Sequence, residues 1–372
     1  MIRWTKWCDR EEIRNLWHLR FSDSEPFIDW FFRERFSPDH SAVSIEDGRI
    51  VSSIQSYPVH IRIRDAILPC TIIAGVSTVP AYEGHGHMGR TMRFYMNGIG
   101  ARGGAVVSYR PEIISMYSGF GHYPVSRTAY FHIDDPGSLA AETCAVPLDL
   151  RNNEAAIQAC YFRFSRYYSG MISRSLADMR LKLADYAADG ARGIGIFEGD
   201  TLCGYCVYFT GECLYAEELV TYDPIYREIL LRALCQTALV SGKTVAGKLP
   251  PDTRFSEASV AAQIRLDPKP MNVMGVADVS TLLAAVCGCP NWRVAVTDHT
   301  VAANNGVFDF AGHRSDGTPQ FCLETGRLAQ FLCGYHSLAE LADAGHVVLS
   351  APCVREIDAC FPVIPGYTLD EY

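Results

Sequence analysis

The sequence predicts a mixed α/β protein whose sheets combine antiparallel and parallel strands. Three observations favour this α+β form of the class: strand-like runs between residues 42 and 79, an amphipathic helical pattern that follows them, and a fainter repeat of the same order further along the chain. The 372 residues exceed what one hydrophobic core usually holds. We therefore predict three domains, at residues 1–145, 146–267 and 268–372.

The first predicted domain opens with a helix that begins after Asp9, an N-cap residue. Three strand patterns follow between residues 42 and 79, and turns at Asp47-Gly48 and Asp65 separate them. A helix with an apolar face then leads to a buried strand from Ala105 to Tyr109. A last strand near Ala129 to Ile133 completes the predicted domain.

The second predicted domain has helices across residues 155–186, strands between residues 193 and 222, and a helix from Tyr226 to Ser241. This order repeats that of the first domain without a glycine-rich turn before the last helix. The third predicted domain has a helix from Val276 to Val286, two strands, and a helical pair from Leu328 to Ala344.

Composition and charge limit the classes of function. A formal charge of -9 disfavours nucleic-acid binding and is compatible with an acidic pocket for a cationic substrate. No run of about 18 uncharged apolar residues could cross a bilayer, so we expect a cytoplasmic protein without a membrane partner. The 14 cysteines are then expected as reduced thiols, and their spacing predicts no metal site.

A glycine-rich turn, Glu83-Gly84-His85-Gly86-His87-Met88-Gly89, lies between the third strand and the following helix. Its glycines let backbone N–H groups at the positive end of the helix dipole approach an anion such as pyrophosphate. The preceding strand, Val76 to Val79, ends at Pro80, so its backbone can pair with an extended, amide-bearing ligand such as pantetheine. Taken alone, a glycine-rich turn between a strand and a helix is more often a plain structural turn.

The run GVSTVPAYEGHGHMGRTM resembles the acetyl-CoA loop of the GNAT acetyltransferase superfamily. The segment MYSGFGHYPV, the length of the chain and its aromatic C-terminus resemble the Eis (enhanced intracellular survival) branch. The resemblance implies a GNAT domain, a second GNAT-like domain without a cofactor site, and a C-terminal sterol-carrier-protein-like domain. It also implies acetyl transfer by direct attack from acetyl-CoA to a primary amine, without metal, in a homo-oligomer that is commonly a hexamer.

The resemblance places the cofactor at the strand end and the glycine-rich turn. The essential glycine of the family's loop falls on Gly86, whereas Glu83 stands where relatives have a basic or amide residue and Met88 where they have a small one. A carboxylate repels pyrophosphate, so we expect Glu83 to point outward. The predicted cofactor-binding residues are Val76, Ser77, Thr78, Val79, Gly84, His85, Gly86, His87, Met88, Gly89 and Arg90.

Two catalytic groups follow from the same resemblance. Tyr117 matches the tyrosine that acts as general acid toward the departing CoA thiolate, a leaving group of pKa ~8.5. The carboxylate of Tyr372 matches the base that accepts the proton of the amine, whose removal at neutral pH costs about 4 to 5 kcal/mol. The alternative for Tyr117 is an aromatic side chain that only packs in the core.

The acceptor implied by the resemblance is a lysine side chain, an aminoglycoside or another polyamine-like cation. Asp23, Glu25 and Glu371 are predicted to form an acidic wall for such a substrate. Two other hypotheses stay open at this point. The chain could be a non-catalytic CoA- or lipid-binding scaffold protein, in which Glu83 marks a loss of cofactor affinity, or it could transfer a longer acyl chain.

Overall fold

The structure is a computed structural model that describes residues 1–289, 291–349 and 354–370. Up to Val125 its elements are β1 (Ile2–Trp4), α1 (Arg10–Arg20), α2 (Glu25–Trp30), β2 (Ala42–Glu46), β3 (Arg49–Ile63), β4 (Ala66–Thr78), α3 (His87–Ala101), β5 (Val106–Tyr109) and β6 (Tyr123–Pro124). Up to Pro270 they are β7 (Arg127–Ile133), β8 (Val146–Leu148), α4 (Glu154–Ser165), β9 (Met171–Ile172), α5 (Leu176–Ala188), β10 (Arg192–Glu198), β11 (Thr201–Thr210), β12 (Leu214–Thr221), α6 (Pro224–Ser241), β13 (Val245–Leu249), α7 (Ala258–Gln263) and β14 (Arg265–Pro270). The remaining elements are β15 (Val273–Val276), α8 (Val279–Val286), β16 (Arg293–Thr297), β17 (Gly306–Asp309), β18 (Phe321–Glu324), α9 (Thr325–Leu332), α10 (Leu338–Asp343), β19 (Val347–Leu349) and α11 (Val354–Cys360).

The predicted mixed α/β class is confirmed. The described chain divides into two compact units. The first unit contains Met1–Val125, Met271–Ile364 and Asp370, and the second contains Ser126–Pro270 and Pro365–Leu369. The division into three domains with boundaries at residues 145 and 267 stays a prediction.

The main sheet of the first unit has the strand order β1-β2-β3-β4-β5-β15-β6. Strands β2, β3 and β4 form the predicted antiparallel meander. The predicted turn at Asp47-Gly48 is confirmed, with φ of 49° and 77°, as a two-residue hairpin of this kind requires. Helix α3 covers this sheet with Met92, Tyr95 and Met96, which are almost completely buried. This apolar face therefore holds α3, which begins at the glycine-rich turn, against the sheet.

Two strands lie in sheets that the sequence did not predict. β7, which we predicted as the last strand of the first domain, pairs with β13 and β14 in the second unit. β15 lies directly before α8, where the sequence predicted no strand, and only its last residue falls within the predicted helix Val276–Val286. It pairs with β5 and β6. Both pairings join residues more than 100 positions apart, and local patterns carry no information on such partners.

The sheet of the second unit has the order β14-β7-β13-β12-β11-β10-β8. Its elements β10-β11-β12-α6-β13 repeat the order β2-β3-β4-α3-β5, and in both cases the strand after the helix is parallel to the strand before it. The sheet is buried on both faces, with α6 on one core and α4 and α5 on the other. Tyr367 packs into the second of these cores against Phe164 and Tyr168.

A smaller sheet of the first unit has the order β17-β16-β18-β19, and helices α9 and α10 follow β18. The side chain of Arg64, at the turn between β3 and β4, donates hydrogen bonds to the carbonyl oxygens of Leu332 and Pro362. The first of these bonds satisfies a carbonyl group at the end of α9. Within the described residues, none of the helices combines the length and the apolar character that a membrane span needs.

Candidate active site

Strands β4 and β5 separate partway along the sheet. Their parallel pairing covers only Cys70–Ile72 and Val106–Ser108. On its other edge β4 stays paired with β3 as far as Thr78, and the register shifts between Ile73 and Gly75, which leaves Ala74 as an extra residue. Such a bulge bends a strand and increases its twist. The opening between β4 and β5 therefore begins at Ile73 and extends to the glycine-rich turn.

Two cavities occupy this opening. The loop cavity, of about 610 Å³, is lined by Arg20, Val76, Thr78, Tyr82, Glu83, Gly84, Gly86, His87, Met88, Gly89, Met116, Tyr117 and Phe120. The strand cavity, of about 270 Å³, is lined by Arg20, Phe21, Ile73, Ala74, Gly75, Val76, Tyr109, Arg110, Pro111, Glu112, Ile113, Met116 and Tyr117. The two cavities share Arg20, Val76, Met116 and Tyr117, so they meet at these side chains.

The glycine-rich turn exposes its backbone to the loop cavity. Gly84 and Gly86 have φ of 77° and 76°, a conformation that L side chains rarely adopt. Gly86 is the N-cap of α3, and no side chain caps the helix there. A Cβ atom added to Gly84 would meet no atom within 4 Å. Gly84, Gly86 and Gly89 line the loop cavity, so the start of α3, whose first N–H groups lack partners within the helix, lies beside a space suited to an anion.

The two histidines of the turn differ in burial and in their contacts. His87 is buried, with Nδ1 3.0 Å from the hydroxyl of Ser44 and Nε2 2.9 Å from the carboxylate of Glu46. These contacts tie the start of α3 to β2. His85 is exposed, and its carbonyl oxygen accepts a hydrogen bond of 3.0 Å from Arg90. His87 lines the loop cavity with both ring nitrogens already engaged, whereas His85 does not line it.

The predicted strand residues divide between the two faces of β4. Val76 and Thr78 line the loop cavity, as expected for alternate residues of one strand. Ser77 faces the other side, where its hydroxyl lies 2.9 Å from that of Ser53. Val79 donates its N–H to the carbonyl of Val51. The side chains of Ser77 and Val79 therefore do not line the cavity.

Glu83 does not simply point outward, because it forms an ion pair. Its carboxylate lies 2.7 Å from Nη2 of Arg20, and both side chains are partly exposed. Arg20 therefore supplies the neutralising charge for an acidic residue beside the anion site. No local pattern indicates this pair, because Arg20 lies 63 residues away, at the end of α1.

Tyr117 lies at the junction of the cavities. Its side chain is nearly buried, and burial raises the pKa of its phenol to about 12. Its ring contacts that of Tyr109 edge-on, with centroids 5.0 Å apart. The hydroxyl of Tyr109 in turn lies 2.6 Å from Nδ1 of His122, a completely buried imidazole whose pKa burial lowers to about 3. Tyr109, positioned by this neutral imidazole, therefore packs against the Tyr117 ring.

Asp23 and Glu25, which we predicted for an acidic wall, lie outside both cavities and contact other side chains, and their role in substrate binding stays a prediction. Asp23 accepts a hydrogen bond of 2.8 Å from the indole of Trp17, and Glu25 lies at the start of α2 near Arg14. Neither residue lines the strand cavity. The other two predicted residues, Glu371 and Tyr372, lie outside the described residues.

The charged residues that do line the strand cavity were not predicted from the sequence. They are Arg20, Arg110 and Glu112. Arg110 and Glu112 follow β5 in an irregular segment, where no periodic pattern indicates which side chains face a cavity. In the part of the chain that the structure describes, no group of three or more His, Cys, Asp or Glu side chains could hold a metal ion.

Two segments of the chain match known domain models. Residues 2–125 match an acetyltransferase (GNAT) domain, and residues 281–368 match a sterol carrier protein domain. The first match contains the glycine-rich turn, Tyr117 and every lining residue of both cavities. No curated protein matches the sequence.

Several solved structures are similar over the whole chain. Eis1 from Mycobacterium abscessus has a TM-score of 0.78 at 18% identity, with 100% of both chains covered. A protein of unknown function from Enterococcus faecalis, described as a probable N-acyltransferase, has a TM-score of 0.83 at 13% identity and covers 100% of this chain and 99% of its own. A GCN5-related N-acetyltransferase from Anabaena variabilis has a TM-score of 0.81 at 14% identity, with 100% of both chains covered. At these identities the similarity is one of fold.

Proposed function

We propose that this chain, which combines a match to a GNAT acetyltransferase domain with a match to a C-terminal sterol carrier protein domain, transfers acetyl from acetyl-CoA to a primary amine by direct attack in a ternary complex. One observation carries the proposal. Tyr117 lies where the two cavities meet, and only the loop cavity contains an uncapped helix N-terminus. The loop cavity therefore suits the anionic donor, and the strand cavity suits the acceptor.

The described residues of the loop cavity fit acetyl-CoA. This co-substrate supplies an activated thioester on a pantetheine arm that ends in phosphates. The backbone of Gly84 and Gly86 and the first turn of α3 would bind the phosphates, since an uncapped N-terminus favours anions. The edge of β4 at Val76 and Thr78 would pair with the amides of the arm. Arg20 offsets the repulsion that Glu83 would otherwise exert.

Tyr117 is the general acid of the proposal. Because burial raises its pKa to about 12, the phenol keeps its proton at every physiological pH. It can then donate a hydrogen bond to the sulfur of the leaving group as negative charge develops there. The position between the cavities is the one where donor and acceptor would react.

The base of the proposal is the carboxylate of Tyr372, as the resemblance to the Eis branch implies. A carboxylate with pKa ~3.5 is a weak base in water, and burial raises its basicity. We expect an extension of one glycine and one serine after Tyr372 to abolish acetyl transfer, because the carboxylate would move. The thermal unfolding midpoint should stay the same, and full activity of the extended chain would exclude this base.

The substitution Tyr117→Phe tests the proposed function directly. We expect kcat to fall by about a hundredfold or more, because general acid groups contribute roughly 10²- to 10⁴-fold. The dissociation constant for acetyl-CoA, measured by calorimetry, should change little, because the phenol acts on the sulfur only in the transition state. Released thiol, scored over a panel of primary amines, provides the rate.

Tyr168→Phe is the matched control, because Tyr168 is as deeply buried as Tyr117 and belongs to the second unit. This variant should retain the parent rate. Equal rates for Tyr117→Phe and the parent would remove Tyr117 from the mechanism. If acetyl-CoA does not bind the parent at high micromolar concentration and no amine is acetylated, the scaffold hypothesis replaces the enzyme.

We also propose that the chain forms a homo-oligomer, a hexamer by resemblance to the Eis branch, and that it works in the cytoplasm. Among the described residues no two cysteines form a disulfide, which agrees with a reducing compartment. Light scattering on the purified chain measures the oligomer directly, and a monomeric mass would exclude it.

A further inference from the structure

Tyr117 belongs to a segment with little regular structure of its own. This tyrosine segment, residues 117–124, contains one turn of 3-10 helix, Ser118–Phe120, and the two-residue strand β6. Gly119 and Gly121 lie within it, and Gly121 has φ of 75°. Glycines leave the backbone with more conformational freedom than other residues do. The position of Tyr117 therefore depends on the contacts that the rest of the unit makes with this segment.

The backbone of Phe120 connects Tyr117 to a contact from outside the segment. The N–H of Phe120 donates a hydrogen bond of 3.0 Å to the carbonyl oxygen of Tyr117. The carbonyl oxygen of Phe120 accepts a hydrogen bond of 3.1 Å from the hydroxyl of Thr300. Thr300 lies in the part of the chain that matches a sterol carrier protein domain, outside the GNAT match. A shift of Thr300 would therefore move the backbone that carries Tyr117.

Thr300 is itself fixed by buried hydrogen bonds. Its N–H donates a hydrogen bond of 2.7 Å to the carboxylate of Asp298, and the other oxygen of that carboxylate accepts one of 2.8 Å from the amide of Asn304. All three residues are buried. The carbonyl oxygen of Thr300 accepts a hydrogen bond of 3.0 Å from the amide of Asn97 on α3. Thr300 thus joins the tyrosine segment to the helix that begins at the glycine-rich turn.

A second contact with the tyrosine segment comes from the start of α9. Gly326 lies so close to it that an added Cβ would overlap the carbonyl oxygen of Gly121. The carboxylate of Glu324 accepts a hydrogen bond of 2.9 Å from the hydroxyl of Tyr123. All of these residues belong to the first unit. Residues matched to the sterol carrier protein domain therefore contact the tyrosine segment at two places.

We propose that Thr300 is a positioning residue for the general acid, and that residues 281–364 hold the tyrosine segment so that Tyr117 stays at the junction of the cavities. The inference rests on the proposed acetyl transfer and gives the region that matches a sterol carrier protein domain a part in it. A displacement of about 1 Å in a catalytic group is enough to slow a reaction about a hundredfold. The GNAT match, which ends at residue 125, therefore does not contain all that its catalytic geometry requires.

The test removes the hydroxyl of Thr300 and keeps the shape of the side chain. We expect Thr300→Val to lower kcat roughly ten- to a hundredfold, because Phe120 loses its anchor. Thr300→Ser keeps the hydroxyl and should retain a rate close to that of the parent. In a Tyr117→Phe background, Thr300→Val should lower kcat by about twofold at most, because a residue that acts through the phenol has little effect once the phenol is gone. Thiol released from acetyl-CoA with the best amine of the panel gives each rate.

Thr281→Val and Gly345→Ala are the controls for loss of stability. The hydroxyl of Thr281 donates a hydrogen bond of 2.7 Å to Asp278. Gly345 has φ of 75°, and an added Cβ there would meet no atom within 4 Å. Both residues belong to the same region as Thr300 and lie outside the tyrosine segment. We expect both variants to lower the thermal unfolding midpoint and to keep the kcat of the parent.

Gly326→Ala tests the second contact and decides the matter if Thr300→Val does not fold. The added methyl group displaces the carbonyl of Gly121, so kcat should fall at least about tenfold in the parent and change little in the Tyr117→Phe background.

The inference is overturned if the folded Thr300→Val variant keeps the parent kcat while Tyr117→Phe loses it. Equal losses of kcat from Thr300→Val in the two backgrounds would also overturn it, because Thr300 would then act independently of Tyr117. If Tyr117→Phe keeps the parent rate, or if no amine releases thiol while acetyl-CoA binds, the proposed function itself fails.

Discussion

Tyr117 shows how burial sets the role of a single residue. Its pKa of about 12 lies above the ~8.5 of a thiol, so complete transfer of its proton to a free thiolate is unfavourable by about 5 kcal/mol. A hydrogen bond to the developing thiolate carries no such cost. In the proposed reaction Tyr117 would therefore act chiefly as a fixed hydrogen-bond donor, and the proton of the acceptor amine would leave by another group.

His122 makes the stability of the first unit depend on pH. Its pKa is about 3 in the folded state because of burial, and about 6.5 in an unfolded chain. The unfolded state therefore binds a proton that the folded state does not, so stability is lost as pH falls from 6.5 toward 3. Between pH 7 and pH 5 this residue should lower the free energy of unfolding by about 2 kcal/mol. Urea denaturation at the two pH values measures the loss.

The variant His122→Gln should lose less stability than the parent over this interval, by about that amount. His132→Gln is the control, because His132 is half exposed and close to Asp134. Its pH dependence should match that of the parent. Equal losses in His122→Gln and the parent would show that the imidazole is accessible to protons in the folded state.

At the scale of elements, the turn before α3 combines two requirements. The backbone at Gly86 needs a positive φ to start the helix, and the same residue must leave room for an anion. Gly86→Ala places a side chain in the left-handed region and also narrows the proposed anion site, whereas Gly103→Ala does only the former. Gly103 lies just after α3, with φ of 83° and no atom within 4 Å of an added Cβ. Comparing the two variants separates the effect of backbone strain on stability from the effect of the substitution on cofactor binding.

We expect both variants to lose about 1 kcal/mol of stability, the usual cost of a side chain in the left-handed region. Only Gly86→Ala should raise KM for acetyl-CoA, by roughly tenfold, since an added methyl group there displaces the guanidinium of Arg90 and narrows the approach to the main chain. Steady-state kinetics with acetyl-CoA varied at saturating amine provides the value. An unchanged KM would move the anion site away from Gly86.

Local signals explain which elements the sequence predicted well. The hairpin at Asp47-Gly48, the face of α3 and the glycines of the turn each depend on neighbouring residues, and the structure has all three. The prediction that Asp23 and Glu25 bind a cationic substrate rests on charge alone and stays a prediction. Trp17 and Arg14, which bind them, come from the preceding helix, and charge does not show that such partners are already present.

In the molecule as a whole, the sequence did not predict the pairing of strands that lie far apart along the chain. β7 and β15 each join a sheet beside strands that are far away in sequence. A run of alternating residues predicts a strand but not its neighbours. The sequence also did not predict that the charged side chains of Arg110 and Glu112 line the strand cavity. An irregular segment has no period from which its cavity-facing side chains can be inferred.

The repeated order of elements raises the question of whether each chain binds one acetyl-CoA or two. The second unit has its own strand-to-helix junction, between β12 and α6, but there Asp223 is the N-cap, and its carboxylate accepts a hydrogen bond of 2.9 Å from the N–H of Ile225. A carboxylate at this place occupies the donors that phosphates would need and repels their charge. We therefore expect titration calorimetry to give one site per chain. Asp223→Asn should leave the number and the affinity unchanged, whereas Gly86→Ala should weaken the single site, and two equal sites in the parent would contradict the assignment of the cofactor to the turn before α3.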